Sequence, residues 1–474
     1  MTRRVAVVGG GISGLTAAFR LMKSHGADAL EIVLLEASGR LGGVIQTDAS
    51  QGVVLEGGPD SFLRRKPEAI QLSEELGLGD ELMGTNPKVR GSYIFHRGHF
   101  SDIPLGVQAG IPTRLDTLWG TELLSMGEKL RLWGDHVLPR QPIASDIALG
   151  QLLRYRLGDG YVDRIAAPML SGIYAGDIDK LSTAVTAPQL IAYQRRGRSL
   201  IQEAQKQAAA APPPGNGTPP SIFASLERGV GSLIAALAAA IEGRVEVRLH
   251  SPVGRVDRGI GGYHIALEGG DLVEATDVVV AVPAYQAARL LAFLEGSARE
   301  QLSQIPYADL AVIGAVYQPG AFNRSLDKTG FLVPQGEGVD MTAGTWVRSK
   351  WHYRDDVSKV PIRAFYGRAG NRTLLEQSDE AMLARFRQEM GYIMGVTDAP
   401  DYARVFRIPQ GMPQYLVGHR ERAAGIRAEA SRWPGLALIG SYFDGVGVPD
   451  CIRQANQAVE AMVASWSKPA HAPQ

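Results

Sequence analysis

Arg3-Arg4-Val5-Ala6-Val7-Val8-Gly9-Gly10-Gly11-Ile12-Ser13-Gly14-Leu15-Thr16-Ala17-Ala18-Phe19-Arg20-Leu21 is the stretch from which the rest of the chain is read. The short β-branched run at 5–8 predicts a buried strand. It passes directly into Gly9-x-Gly11-x-x-Gly14, and the Ala-rich segment after it, with Ile12, Leu15, Phe19 and Leu21, predicts a helix. Strand, glycine turn and helix in this order form the context of a dinucleotide fingerprint. Gly9 makes the tight turn, Gly11 clears the backbone for a pyrophosphate, and Gly14 lets helix and strand pack closely. The orphan N–H groups at the helix start then face the phosphates.

Working outward, the apolar run at 31–36 predicts a second strand ending in Glu36, about 20 residues past the glycines, where an acid meets the ribose hydroxyls. A carboxylate there opposes a 2′-phosphate, which leaves FAD or NAD. Glu36-Ala37-Ser38-Gly39-Arg40-Leu41-Gly42-Gly43 adds an Arg suited to a phosphate and a second close-approach glycine pair. This extension resembles the E-x-x-x-R-x-G-G element of the FAD-dependent amine-oxidase superfamily, in which the Gly57-Gly58-Pro59-Asp60 turn would run alongside the flavin. Arg64-Arg65-Lys66 follows, and these cations serve either a substrate carboxylate or a solvated turn.

The segment 92–100 predicts a hairpin around Arg97-Gly98, and 104–198 a mostly helical region. Leu115, Leu118, Leu123, Leu124, Met126, Leu130, Leu132 and Trp133 supply an apolar face there, packed inward, over a large apolar substrate or against lipid. A glycine-bearing loop at 171–177 interrupts the helices. The Ala/Pro/Gly tract at 208–220 predicts a flexible surface loop. Short strands follow at 245–248, 253–256, 263–267 and 277–282, and more between 305 and 400, where a helix is expected at 379–394. Near the end, a strand at 436–439, the glycine loop Gly445-Val446-Gly447-Val448 and a helix from Cys451 predict a second anion site.

A length of 474 residues predicts two or three domains. The 49 basic and 49 acidic residues balance, which argues against nucleic acid. One cysteine, Cys451, excludes an intrachain disulfide and fits a reducing, cytoplasmic setting. Nine scattered histidines show no ligand spacing, so no metal is expected. The fingerprint lies so close to Met1 that no signal peptide is expected. No apolar run approaches the ~18–20 residues of a spanning helix.

Further stretches extend the resemblance. Glu56-Gly57-Gly58-Pro59-Asp60-Ser61-Phe62, Ser171-Gly172-Ile173-Tyr174-Ala175-Gly176-Asp177, Met412-Pro413-Gln414-Tyr415 with Gly418-His419, and Gly445-Val446-Gly447-Val448-Pro449-Asp450-Cys451-Ile452 resemble the oxygen-dependent protoporphyrinogen oxidase and coproporphyrinogen III oxidase family. The resemblance implies an α/β fold: a Rossmann-like FAD-binding domain (1–85, 221–285 and 401–474), a mixed-sheet substrate domain (86–103 and 286–400) and a helical lobe (104–207). It implies FAD held by Gly9, Gly10, Gly11, Ile12, Ser13, Gly14, Glu36, Arg40, Gly42, Gly43, Gly58, Pro59, Asp60, Val253, Val446, Gly447 and Val448. It implies substrate contacts at Lys66 and Gly172, with no dedicated protein base.

The reaction implied is a six-electron oxidation of a porphyrinogen to a porphyrin in heme biosynthesis, with oxygen reduced to hydrogen peroxide. Many mitochondrial and plastid members place an Arg where this chain has Ser92, which favours coproporphyrinogen III over protoporphyrinogen IX and Lys66 as a carboxylate partner. Peripheral contact with the inner membrane face and a homodimer stay open. So do another flavin amine oxidase, a carotenoid-desaturase-like enzyme and a non-catalytic FAD-bound scaffold.

Overall fold

The computed structural model describes residues 3–467 except 25–29, 109, 142, 144, 211–220, 354–356, 371, 372 and 374. Its first layer is a five-stranded sheet whose strands we label in chain order: β1 (Arg3–Val8), β2 (Leu30–Leu35), β3 (Glu246–Arg248), β4 (Asp277–Val280) and β5 (Leu436–Leu438). The spatial order is β3-β2-β1-β4-β5 and every pairing is parallel. Val5 and Val7 of β1 pack on one face and Ala6 and Val8 on the other, all buried, which is why this strand reads as an unbroken apolar run.

One face is covered by α1 (Ile12–Ser24), α2 (Gly231–Ile241) and α3 (Val448–Trp466). The other carries the antiparallel meander Val253–Gly259, Gly262–Leu267 and Leu272–Ala275. Residues 286–306 also belong here: Ala287, Leu290, Leu291, Leu302 and Ile305 share a core with Ala6, Val8 and Tyr263. This corrects their assignment to the substrate domain.

The second layer is a seven-stranded mixed sheet, in the order Tyr402–Pro413, Tyr307–Tyr317, Val360–Tyr366, Met341–Trp346, Gly330–Leu332, Tyr93–His96 and His99–Asp102. Only Gly330–Leu332 and Tyr93–His96 pair in parallel. The last hairpin turns at Arg97 and Gly98, both at positive φ (52° and 79°), as a two-residue turn matched to strand twist requires. Tyr402–Pro413 pairs antiparallel along Tyr307–Tyr317. The expected return to the cofactor domain at 401 is therefore displaced to beyond this strand. The helix Asp379–Met394 backs the sheet; the Ser378 hydroxyl caps its start by accepting from the Ala381 N–H, and Gly395 ends it at φ 69°.

The third part is helical, with Leu123, Leu132, Leu149, Leu152, Leu153, Leu157 and Tyr161 in one core. A fully buried ion pair, Arg156 Nε to Asp135 Oδ1 at 2.7 Å, ties it together. Four local expectations change. Residues 104–114 contain a hairpin, Val107–Gln108 with Ile111–Pro112, where Gly106 and Gly110 at positive φ break any helix. The expected loop at 171–177 begins as the last turn of the helix Ala167–Tyr174, ended by Ala175 at φ 48°. Residues 208–210 close the helix Leu200–Ala210, and the remainder of the expected flexible loop lies outside the described residues. Met126, Leu130 and Trp133 are exposed, forming an outward stripe with Val137.

Candidate active site

The order β2-β1-β4 makes the carboxyl end of β1 a topological switch point, the crevice where open parallel sheets bind ligands. The glycines divide by what limits them. A Cβ at Gly14 would lie 1.9 Å from the Gly9 carbonyl oxygen, and one at Gly9, which has φ 105°, 2.8 Å from the Ala281 oxygen. Both are demanded by the fold. A Cβ at Gly11 would meet nothing nearer than the Gly43 Cα at 4.0 Å. Gly11 therefore leaves a gap that no protein atom uses, which fits a phosphate group.

Glu36 is set against the same turn. Its Oε2 accepts from the Gly10 N–H at 2.6 Å, and its Oε1 from the Ser38 N–H and hydroxyl at 2.8 and 2.7 Å. The Ser251 N–H reaches the Glu36 carbonyl at 2.8 Å, so buried Val253 lies two residues from this contact. Gly42 (φ 106°) is bridged to Gly10, its N–H donating at 2.8 Å, and Gly43 (φ 58°) follows. Arg40 is engaged by its own loop: its guanidinium donates to the carbonyls of Leu41, Ile45 and Gly43. Burial lowers its pKa from the usual guanidinium value. It holds the Gly42–Gly43 turn in place.

A second helix opens at the same crevice. Gly447 is the extended N-cap residue of α3, and Pro449 occupies its first turn. The α1 and α3 helices lie side by side and run the same way: their first turns share a core, and further along Arg20 Nε donates to Asn456 Oδ1 at 2.9 Å. Ile12, Leu15, Val448, Cys451 and Ile452 share one core. Two positive helix ends therefore converge, an arrangement that favours an anion between them. The fit to a dinucleotide with a ring system beyond it rests on this convergence and on the Gly11 gap. Burial pushes the Cys451 thiol up to about 11, so it stays protonated and unreactive at neutral pH.

The Gly57-Gly58-Pro59-Asp60 turn is clamped from the mixed sheet. Arg363 donates from Nε to the Glu56 carbonyl at 2.7 Å and from Nη2 to the Gly58 carbonyl at 2.6 Å. It also pairs with Asp60 Oδ2 at 2.8 Å, where Lys350 Nζ arrives at 2.7 Å. Burial opposes the charge on Asp60, but these two cations and their hydrogen bonds prevail and hold its carboxyl well below the usual range. The Asp60 side chain is thus committed to the protein. Lys350 and Arg363 escaped the sequence reading; an Arg inside the alternating run 360–366 was the available signal.

Lys66 is likewise engaged. Its ammonium contacts both oxygens of Asp450 at 2.7 and 2.6 Å, and Arg453 adds a third contact at 3.1 Å. Asp450 is buried in the first turn of α3. Arg64 and Arg65 are exposed, and no ion pair occupies them among the described residues.

Opposite these cations lies the end of the helix Ala167–Tyr174. Gly172 is exposed, and a Cβ there would reach only Leu332 of the mixed sheet, at 3.7 Å. The Tyr174 phenol is raised by burial and then by the Asp450 charge, and its hydroxyl donates to the Thr186 carbonyl at 3.2 Å. Its ring meets that of Tyr415 edge-on at 6.4 Å, and Tyr415 donates to the Ser441 carbonyl. Gln414 Nε2 fixes the turn through the Tyr174 carbonyl at 2.9 Å. The helical lobe thus approaches the mixed sheet at Leu332 and the segment 414–415 beside it. No group of three His, Cys, Asp or Glu residues among the described ones is placed to hold a metal.

The model of the family described as flavin containing amine oxidoreductase matches residues 12–463. Coproporphyrinogen III oxidase of Bacillus subtilis is 34% identical, over 96% of this chain and 97% of its own length. That of Staphylococcus aureus is 31% identical, over 98% and 100%. A crystal structure from Exiguobacterium sp. 255-15 superposes with a TM-score of 0.87 at 35% identity, over 98% of this chain and 99% of the other.

Proposed function

As the chain belongs to the flavin containing amine oxidoreductase family, and its relatives there are porphyrinogen oxidases, we propose that it oxidises coproporphyrinogen III to coproporphyrin III in heme biosynthesis. The observation that carries the reading is the pair of glycine-capped helix starts on one crevice, in a chain matching coproporphyrinogen III oxidases over nearly its full length. When bound, FAD supplies a two-electron oxidant; three rounds account for six electrons, which oxygen removes as hydrogen peroxide.

The chain's own work is positioning. The start of α1, from Gly9 to Gly14, and the start of α3, with Val446, Gly447 and Val448, hold the anionic parts of the cofactor. Glu36 takes the ribose hydroxyls, and Val253 lines the adenine end. The Gly42–Gly43 turn fixed by Arg40, and the Gly58–Pro59 turn fixed by Arg363, shape the wall between them. Gly172 leaves room for the macrocycle beside Leu332. The free guanidiniums of Arg64 and Arg65 suit a substrate with four propionates better than one with two. Pyrrole N–H protons leave as conjugation spreads, so no protein base is required.

The stripe Met126, Leu130, Trp133 and Val137 supports peripheral contact with a membrane, and a homodimer would cover the same face. Vesicle flotation and sedimentation velocity separate the two. No helix among the described residues is long and apolar enough to cross a bilayer.

Anaerobic addition of coproporphyrinogen III to the FAD-loaded protein should bleach the flavin, and admitting oxygen should yield a fluorescent porphyrin and peroxide. Protoporphyrinogen IX should act more slowly. A flavin that neither porphyrinogen bleaches would overturn the reading, and peroxide released with amines alone would replace it.

A further inference from the structure

Of the three consecutive cations at 64–66, Lys66 alone forms an ion pair among the described residues, with a residue 384 positions away. We infer that the Lys66–Asp450 ion pair sets the charge at the α3 start, so that Lys66 tunes the reduction potential of the flavin instead of gripping substrate. The inference rests on the proposed placement of FAD against α3.

Asp450 is a carboxylate 3% exposed, beneath the loop that opens α3. A Cβ at Gly445 would lie 2.5 Å from its Oδ2, and one at Gly447 3.0 Å away. The backbone offered to an anionic ligand thus lies directly over a full negative charge. The positive end of a helix amounts to roughly half a unit charge. Left unpaired, Asp450 would cancel that field and reverse it.

Two cations prevent this. Lys66 covers both carboxylate oxygens, while Arg453 touches one of them and is shared with Glu68 at 3.6 Å. Lys66 is therefore the principal counter-charge. Two-electron reduction places added negative charge on the flavin ring, and the field at the α3 start decides how readily it is accepted. Removing the ammonium leaves a net negative charge beneath the ring's expected position. The expected penalty on the reduction equilibrium is on the order of tenfold, about 30 mV for a two-electron couple.

The test is dye-equilibrated potentiometry of the FAD-loaded proteins, with porphyrin affinity measured in parallel by coproporphyrin III fluorescence. Lys66→Met should shift the potential negatively by about 30 mV. Lys66→Arg should stay near the parent. The double variant Lys66→Met with Asp450→Asn, which removes both charges, should recover most of the shift; a purely structural role would not give that recovery. Coproporphyrin III affinity of Lys66→Met should change less than twofold. Should Lys66→Met fail to load FAD, Lys66→Gln carries the same measurement. An unchanged potential, or a several-fold loss of porphyrin affinity at constant potential, overturns the inference. Failure to bind FAD in the parent protein would instead strike the proposed function.

Discussion

Gly11→Ala separates what the fold needs from what the cofactor needs. Its Cβ enters open space, with the nearest protein atom 4.0 Å away, and Gly11 has no positive φ to strain. The apoprotein should lose no more than about 1 kcal/mol, the scale of a changed helix N-cap residue. The same methyl stands where a pyrophosphate must approach. Losing one or two charge-assisted hydrogen bonds of about 1.5–3 kcal/mol each predicts FAD binding weakened at least tenfold. Gly14→Ala should behave in the opposite way. A carbon 1.9 Å from the Gly9 oxygen needs more than an ångström of displacement between α1 and its strand. A cost of roughly 3 kcal/mol or more to the apoprotein follows. Thermal unfolding of both apoproteins and calorimetric FAD titration check the pair. Gly11→Ala protein that binds FAD as tightly as the parent would refute the placement of the pyrophosphate.

Glu56 is buried where its carboxylate accepts from the Val230 N–H at 2.5 Å, and burial pushes its pKa up to about 7 from an ordinary 4.5. The fold then holds a proton that the unfolded chain releases, so stability should fall between about pH 4.5 and pH 7, by about 3 kcal/mol at most, and level off above. Glu56→Gln should flatten that slope in urea titrations across this range. Arg156→Met strands the Asp135 carboxylate in a fully buried position and should cost about 3–5 kcal/mol by chemical denaturation. Arg65→Ala should raise the Kd for coproporphyrin III two- to fivefold at low salt, an effect of under about 1 kcal/mol that fades in 0.5 M salt, while leaving the flavin spectrum unchanged.

The elements legible in the sequence are those whose logic is local. The β1–glycine–α1 unit, Glu36 at the end of β2 and the glycine-capped start of α3 each carry their pattern within a few residues. Periodicity also located strands of the mixed sheet between 305 and 400 and the helix Asp379–Met394. What escaped were pairings across the chain. Nothing near Lys66 announces Asp450, and nothing near Asp60 announces Lys350 or Arg363. The strand Tyr402–Pro413 was missed altogether, because its pairing with Tyr307–Tyr317 lies about a hundred residues away. The helical turn at 171–174 was hidden by its glycine, which lies inside the helix Ala167–Tyr174 and not at a bend. The outward stripe at Met126, Leu130 and Trp133 was hidden because that segment is apolar on more than one side.

The parallel sheet draws on three distant parts of the chain, and β5 with α3 supplies its final portion. During synthesis the nucleotide crevice therefore cannot close until nearly the whole polypeptide has left the ribosome, whereas the apolar core of the helical lobe, drawn from Ile94 to Ala204, is available much earlier. Retention of a yellow cofactor thus reports on completed translation: a nascent chain stopped before residue 448 lacks the second helix start and should emerge colourless, however well its other parts have folded.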